Sequence, residues 1–251
     1  MKIVTWQQPP PELKLINDQV HIWQASFEFT ADRIHSFKAW LSKEEMERAN
    51  RFLFQKDHDL FIVSHGILRA ILGRYLKTSP QRIVFAFNRY GKPFLAAPEG
   101  VPLHFNLSHS HQQGLYAFSR NLEVGIDLEF IKPKPHAAQI IARFFSETEK
   151  REFQNLPSRL KTNAFFKGWT EKEAYLKAHG SGLSIPLHKF SVTLNPHKPA
   201  MLLQIDPDII DGKPWLLKEI PLGENYAAAV AVAGGKVDFS YWTWTAPKLE
   251  S

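Results

Sequence analysis

Acidic side chains in apolar company are where this sequence departs most from an ordinary globular pattern. Asp127 and Glu129 occupy alternate positions of Val124-Gly-Ile-Asp-Leu-Glu-Phe-Ile131, and Glu173 follows in Trp169-Thr-Glu-Lys-Glu-Ala174. Successive strand side chains alternate faces, so Asp127 and Glu129 point the same way. Ionised carboxylates in such a setting are costly without compensation. A hard divalent ion supplies it, with Glu173 arriving from a helix as the third oxygen donor. The spacing alone also suits a solvated strand end, with Glu173 paired to Lys177 one helical turn on. The neighbours favour the ion: Lys172 and Lys177 flank Glu173 and Trp169 lies one turn earlier, a set able to hold a metal-bound diphosphate.

Two smaller groups carry possible phosphate contacts. Phe105-Asn-Leu-Ser-His-Ser110 follows a strand signal, and Ser108, Ser110 and His109 offer hydrogen bonds to an anion. As structure alone it is a turn bonded to its own backbone. No Gly-x-Ser-x-Gly elbow surrounds the Ser-His pair, which argues against a serine nucleophile. In Tyr90-Gly-Lys-Pro93 a rigid turn projects Lys92, either into solvent or onto a phosphate. Arg48, Arg51, Lys56, Arg69 and Arg74 read as cations that keep helix faces soluble.

The elements that must position these groups repeat. Ser42 to Glu45 and Ser146 to Glu149 both place Ser three residues before Glu, the pattern that caps a helix start. Each is followed by a long apolar stripe of helical period, Asp57 to Lys77 and Ser158 to Ala178. Strand signals come next: 82–87, 103–107 and 114–119 in the first half, then 189–194, 201–205, 215–220 and the Ala/Val-rich 226–232 in the second. The expectation is an α+β fold of two pseudo-equivalent α/β halves, residues 1–125 and 126–251. Each half has a small, mostly antiparallel sheet packed by helices, with the cofactor site at their interface.

A chain of 251 residues with 44% hydrophobic content and 19 Phe can bury a sizeable core. The absence of cysteine excludes disulfides, thiolate metal sites and a cysteine nucleophile, leaving chemistry to oxygen and nitrogen groups. No apolar run approaches the roughly 18 residues of a membrane span, and Met1 to Pro10 lacks a signal-peptide core, so a cytoplasmic protein with no membrane partner is expected. The net charge of +6 suits a polyanionic partner: nucleic acid, a phosphorylated cofactor or an acidic protein. Two readings thus stay open beside a diphosphate enzyme. One is another Mg²⁺-dependent phosphoryl or nucleotidyl enzyme without a Walker loop; the other is a non-catalytic module for nucleic acid or an acidic protein.

Taken in order, Tyr90-Gly-Lys-Pro93, Phe105 to Ser110, Val124 to Glu129, Arg143-Phe-Phe-Ser146 and Trp169 to Lys177 resemble the 4′-phosphopantetheinyl transferases of the surfactin-synthetase-activating type, over roughly residues 40 to 190. Gly180-Ser-Gly-Leu-Ser-Ile-Pro-Leu187 is similar to the segment following the lysine helix in that family. The resemblance implies a monomer whose two halves enclose coenzyme A as substrate, with no nucleic acid involved. It assigns Asp127, Glu129 and Glu173 to Mg²⁺, or Mn²⁺ in its place. Lys92, Ser108 and His109 fall to the nucleotide phosphates, and Lys172 and Lys177 to the diphosphate. Family members commonly carry an Arg shortly after the position of Asp57; this chain reads Asp57-His-Asp-Leu60, leaving His58 or Arg51 to substitute. The implied reaction is attack by a serine of an apo acyl or peptidyl carrier protein on the β-phosphate of coenzyme A, releasing 3′,5′-ADP, with Lys177 steadying the leaving phosphate and Glu173 the candidate base. Phe144, Phe145 and the loop after Leu156 are the expected carrier-facing groups.

Overall fold

The structure, a computed structural model, describes residues 4–96 and 103–246. The first half runs β1 (Gln19–Ser26), α1 (Ala31–Lys38), α2 (Lys43–Ala49), α3 (Gln55–Leu76), β2 (Phe85–Phe87), β3 (Pro93–Leu95), β4 (His104–Ser110) and β5 (Gln113–Ser119). After β6 (Val124–Phe130) come α4 (Ala137–Phe144), α5 (Glu147–Asn155), α6 (Ser158–His179), β7 (Phe190–Val192), β8 (Leu202–Ile205), β9 (Trp215–Glu219), β10 (Tyr226–Ala233) and β11 (Asp238–Thr243). The fold is α+β as expected. The larger sheet is ordered β11-β1-β5-β4 and the second β6-β10-β9, with two small hairpins, β2-β3 and β7-β8.

Both predicted capping boxes form, Ser42 with Glu45 and Ser146 with Glu149. Each capping Glu then does a second job. Glu45 accepts from the Arg69 guanidinium at 2.6 Å, and Glu149 accepts from the Lys172 ammonium at 2.9 Å. The two cations stand at equivalent points of 22-residue helices, α3 and α6. Arg69 also donates to the carbonyls of Pro80 and Ile83, and Lys172 to those of Leu187 and Phe190. Each cation lies over the first Phe of the following strand, Phe85 or Phe190. This repeated buried pair is the physical content of the two-half plan. It also corrects two sequence readings: Arg69 is 1% exposed rather than on a solvated face, and Lys172 is fully buried rather than beside a diphosphate.

Residue 125, the expected junction, is the second residue of β6, and the terminal strand β11 pairs in parallel with β1, from Gln19 opposite Asp238 to Gln24 opposite Thr243. The first half therefore needs the last strand to complete its sheet. Three apolar clusters result: α3 and its helices against one face of the large sheet, α6 with α4 and α5 against the small sheet, and a third between the two sheets, where Val20, Ile22, Leu115 and Ala117 meet Ile126, Leu128, Val230 and Val232.

At the β1–β11 junction His21 is buried, with Nδ1 2.7 Å from the Tyr75 hydroxyl, which accepts from Trp23 Nε1 at 2.9 Å. The Tyr75 proton is thereby directed at His21, which suits a neutral ring, and burial pushes the imidazole down to about 4. The unfolded ring takes a proton near pH 6.5 and the folded one does not. Stability should therefore fall as pH drops from 6.5 to 4, by about 3 kcal/mol. Urea midpoints across that window should show the fall, and His21→Phe should lack that part of it.

Removing either buried cation strands a buried carboxylate. Lys172→Met and Arg69→Met should each cost about 3–5 kcal/mol of unfolding free energy. Adding Glu149→Gln to Lys172→Met should restore much of the loss in urea denaturation.

Candidate active site

The site is built where α6 lies across the small sheet. On β6 the residues Gly125, Asp127 and Glu129 share one face, opposite Ala231, Ala229 and Ala227 of β10. These small residues let the helix backbone come down on the strand. A Cβ on Gly125 would stand 2.1 Å from the Ala178 nitrogen and 2.2 Å from the Ala174 carbonyl oxygen, so only glycine fits. The approach brings Glu173 and Lys177, one turn apart on α6, against the acids of β6.

Lys177 Nζ donates to Asp127 Oδ1 at 2.6 Å, to Ser108 Oγ at 3.0 Å and to the Ile126 carbonyl at 3.2 Å. Ser108 Oγ in turn donates to Asp127 Oδ1 at 3.0 Å. Asp127 is 5% exposed, and its Oδ2 is buried without a hydrogen-bond partner. Glu129 and Glu173 are both held above the usual carboxylate range, first by burial and next by the Asp127 charge; Lys177 partly opposes this. Lys177 is the ammonium bonded into the seam, and Lys134 and Lys132 also act on Glu129, yet burial and the Asp127 charge still prevail in the poorly solvated seam.

Among the described residues no three His, Asp or Glu side chains already converge on one point at metal-binding distance. The donors nonetheless fit a hard divalent ion. They are all carboxylate oxygen, Asp127 Oδ2 is an unsatisfied buried acceptor, and the acids raise one another's proton affinity for want of a cation. Asp127, Glu129 and Glu173 are the residues that would hold it.

Strand β4 reaches this seam by an unusual route. It does not pair with β6 through its backbone; alternate β4 side chains accept from alternate β6 amides instead, Asn106 from Ile126 (2.8 Å), Ser108 from Leu128 (3.3 Å) and Ser110 from Phe130 (3.0 Å). This ladder joins the two sheets and satisfies the β6 edge. The segment read as a polar turn is therefore a strand, and its hydroxyls accept from backbone as well as facing the site. Asn106 and Ser110 were missed as joining residues, although the Asn-x-Ser-x-Ser alternation carried the signal.

The other expected contacts scatter. His109 is half-buried with its ring edge toward Phe27, and burial together with the Lys177 charge lowers its proton affinity, so it is neutral at pH 7. Lys92 lies at the junction of the halves, where Nζ donates to the Ala178 carbonyl at 2.9 Å and the Val124 carbonyl at 3.3 Å; burial lowers it to about 8. Arg51 is exposed just beyond α2, and His58 is bound to Asp59 at 2.8 Å. Arg48 lies over the Phe61 ring, which also stacks on His65 and meets the Phe52 ring. Trp169 stacks on Phe165 in the second-half core. Phe145 is fully buried beneath Lys172, so of the two Phe expected at a carrier-facing surface only Phe144 is exposed. Among the described residues no helix is long and apolar enough to cross a membrane.

Comparison with known proteins matches this chain to a family. The model described as the 4′-phosphopantetheinyl transferase superfamily covers residues 123–231, which hold β6 and α6, and that described as 4′-phosphopantetheinyl transferase, N-terminal, covers residues 23–119. The chain is 39% identical to 4′-phosphopantetheinyl transferase HetI of Nostoc sp., over 95% of this chain and 98% of that protein. It is 32% identical to 4′-phosphopantetheinyl transferase Sfp of Bacillus subtilis, over 78% of this chain and 84% of that protein. With both halves matched and the acidic seam inside the matched region, the chain belongs to the 4′-phosphopantetheinyl transferases.

Proposed function

We propose that this protein, acting as a cytoplasmic monomer, transfers the 4′-phosphopantetheine of coenzyme A to a serine of an apo acyl or peptidyl carrier protein, giving holo carrier and 3′,5′-ADP. The observation that carries the reading is the seam of Asp127, Glu129 and Glu173 against Lys177, within a chain of this family. In the reaction the serine oxygen bonds to the β-phosphorus and the bond from that phosphorus to the bridging oxygen breaks. The electron pair leaves on 3′,5′-ADP. Mg²⁺, or Mn²⁺, held by the three acids would neutralise diphosphate oxygens and so favour the developing negative charge on the leaving phosphate.

The chain's own groups do the rest. Lys177, fixed by Asp127 and Ser108, presents its charge where the leaving phosphate forms. Glu173, on the turn of α6 before Lys177, is the group that accepts the serine proton, directly or through a water. Neutral His109 offers a hydrogen bond to the nucleotide phosphates, whereas the single Ser108 hydroxyl proton is already given to Asp127. Two of the three Lys92 donors are taken by carbonyls, leaving one for an anion. Arg51, exposed beyond α2, is the candidate to replace the missing family arginine. The net charge of +6 steers an acidic carrier toward the site.

The test is to incubate the protein with coenzyme A, Mg²⁺ and a panel of apo carrier proteins and to weigh each carrier. A gain of one phosphopantetheine is expected, abolished by EDTA and restored by Mg²⁺ or Mn²⁺. Glu173→Gln should lower turnover about 100-fold or more, the ordinary scale of lost proton transfer. No mass gain with any carrier, or near-normal turnover by Glu173→Gln, would remove the activity or the base respectively. Lys177→Met should cost about 3 kcal/mol of stability in ligand-free urea denaturation, since it strands the buried Asp127 carboxylate.

A further inference from the structure

The C-terminal turn of α6 carries Lys177, and it is gripped from outside its own half. Gly180 ends the helix in the left-handed conformation, with φ +75°. Its carbonyl accepts from the side-chain amide of Asn88 at 2.8 Å, a residue in the turn between β2 and β3 of the first half. The Ala178 carbonyl, in the same turn of helix, accepts from Lys92. Helix C-termini leave carbonyls without intrahelical partners, so these two bonds cap α6 with donors from across the seam.

Asn88 is also what shapes the donor loop. Its Oδ1 accepts from the Tyr90 and Lys92 amides, both at 2.9 Å, and its backbone N–H donates to the Lys92 carbonyl. One side chain therefore folds the turn with its oxygen and hooks the helix with its nitrogen. The helix end it hooks rests on Gly125 with no room to slide inward. Lys177 sits in this last turn of the helix, and its ammonium reaches Asp127 Oδ1 at 2.6 Å.

We propose that Asn88 is a positioning residue for phosphopantetheine transfer, clasping the first-half hairpin turn to the end of α6 and so setting Lys177 against Asp127. The proposal rests on the transferase reading above. A displacement on the order of 1 Å at a reacting centre is enough to cost large factors in rate.

Asn88→Asp separates the two jobs, because the carboxylate still accepts from the Tyr90 and Lys92 amides but opposes the Gly180 carbonyl instead of donating to it. Asn88→Ala removes both. With a carrier that the wild type modifies, Asn88→Asp should lower kcat about tenfold. The KM for coenzyme A should change by less than that, and Asn88→Ala should be worse in both. Independently of activity, brief acetic anhydride treatment followed by mass spectrometry should label Lys177 several-fold faster in Asn88→Asp than in the wild type, relative to Lys77, which is 75% exposed. Thermal midpoints show whether each variant is folded when assayed. Wild-type kcat in folded Asn88→Asp, or wild-type labelling of Lys177, overturns the proposal. A wild-type protein that modifies no carrier removes the transferase reading instead, and the labelling ratio then decides the clasp alone.

Discussion

Everything in the site depends on how closely α6 lies on the strand beneath it. That approach is set by the lack of side-chain bulk at Gly125 and by the run of alanines on β10, and it has an electrostatic cost. Pressing a helix bearing Glu173 onto a strand bearing Asp127 and Glu129 removes water from three carboxylates at once. The fold offsets part of that with Lys177 and the Ser108 hydroxyl. The remainder is a built-in affinity for positive charge, directed outward along the seam. On the proposed reading a polyphosphate alone would be repelled from such a place, whereas a polyphosphate with a divalent ion would find both of its charges matched. Close packing, ordinarily a stability device, is here what concentrates the acidic charge.

The repeated buried ion pair shows what the two halves share and where they have parted. Glu45 with Arg69 and Glu149 with Lys172 hold equivalent helices to equivalent strand starts. The first half uses a guanidinium, which meets its carboxylate and two carbonyls through a planar fork. The second uses an ammonium, which burial lowers to about 8. Neither pair touches the acidic seam. The acidic seam lies on the other face of α6, and the internal face carries the buried pair.

How much of this was legible beforehand follows from range. The capping boxes, the two long helices and most second-half strands announce themselves within a few residues, and all were read correctly from sequence. That Asp127, Glu129, Glu173 and Lys177 would come together was legible too, because acids in an apolar strand and a charged helix turn are locally odd. The strands β1 and β11 were not foreseen. β1 is buried on both faces, so its residues lack the in-out alternation that marks a strand, and its parallel partner lies at the far end of the chain. Lys172 was misread because its neighbours in sequence, Glu173 and Lys177, face the other way; the side of a helix that a charge occupies is decided by what packs there. The role of Asn88 was invisible for the same reason, since nothing near residue 88 reveals the carbonyl of Gly180.

The seam is also held by topology. The chain leaves the first half between β5 and β6, builds the second, and returns to complete the first sheet with β11 beside β1. Parting the halves would therefore require stripping a strand from the large sheet and separating the apolar layer between the sheets, where Ile22, Leu115, Ile126 and Val230 are fully buried. It would also break the side-chain ladder from Asn106, Ser108 and Ser110 to the β6 amides. Those costs are large beside the few kcal/mol typical of a hinge between independent domains. A hinge-closing enzyme assembles its site after the substrate enters. Here the backbone elements that carry Asp127, Glu129, Glu173 and Lys177 are already in place, with the helix end clasped by the hairpin turn, and the groups left free to adjust are Glu129, Glu173 and Lys177, the partly exposed side chains of the set.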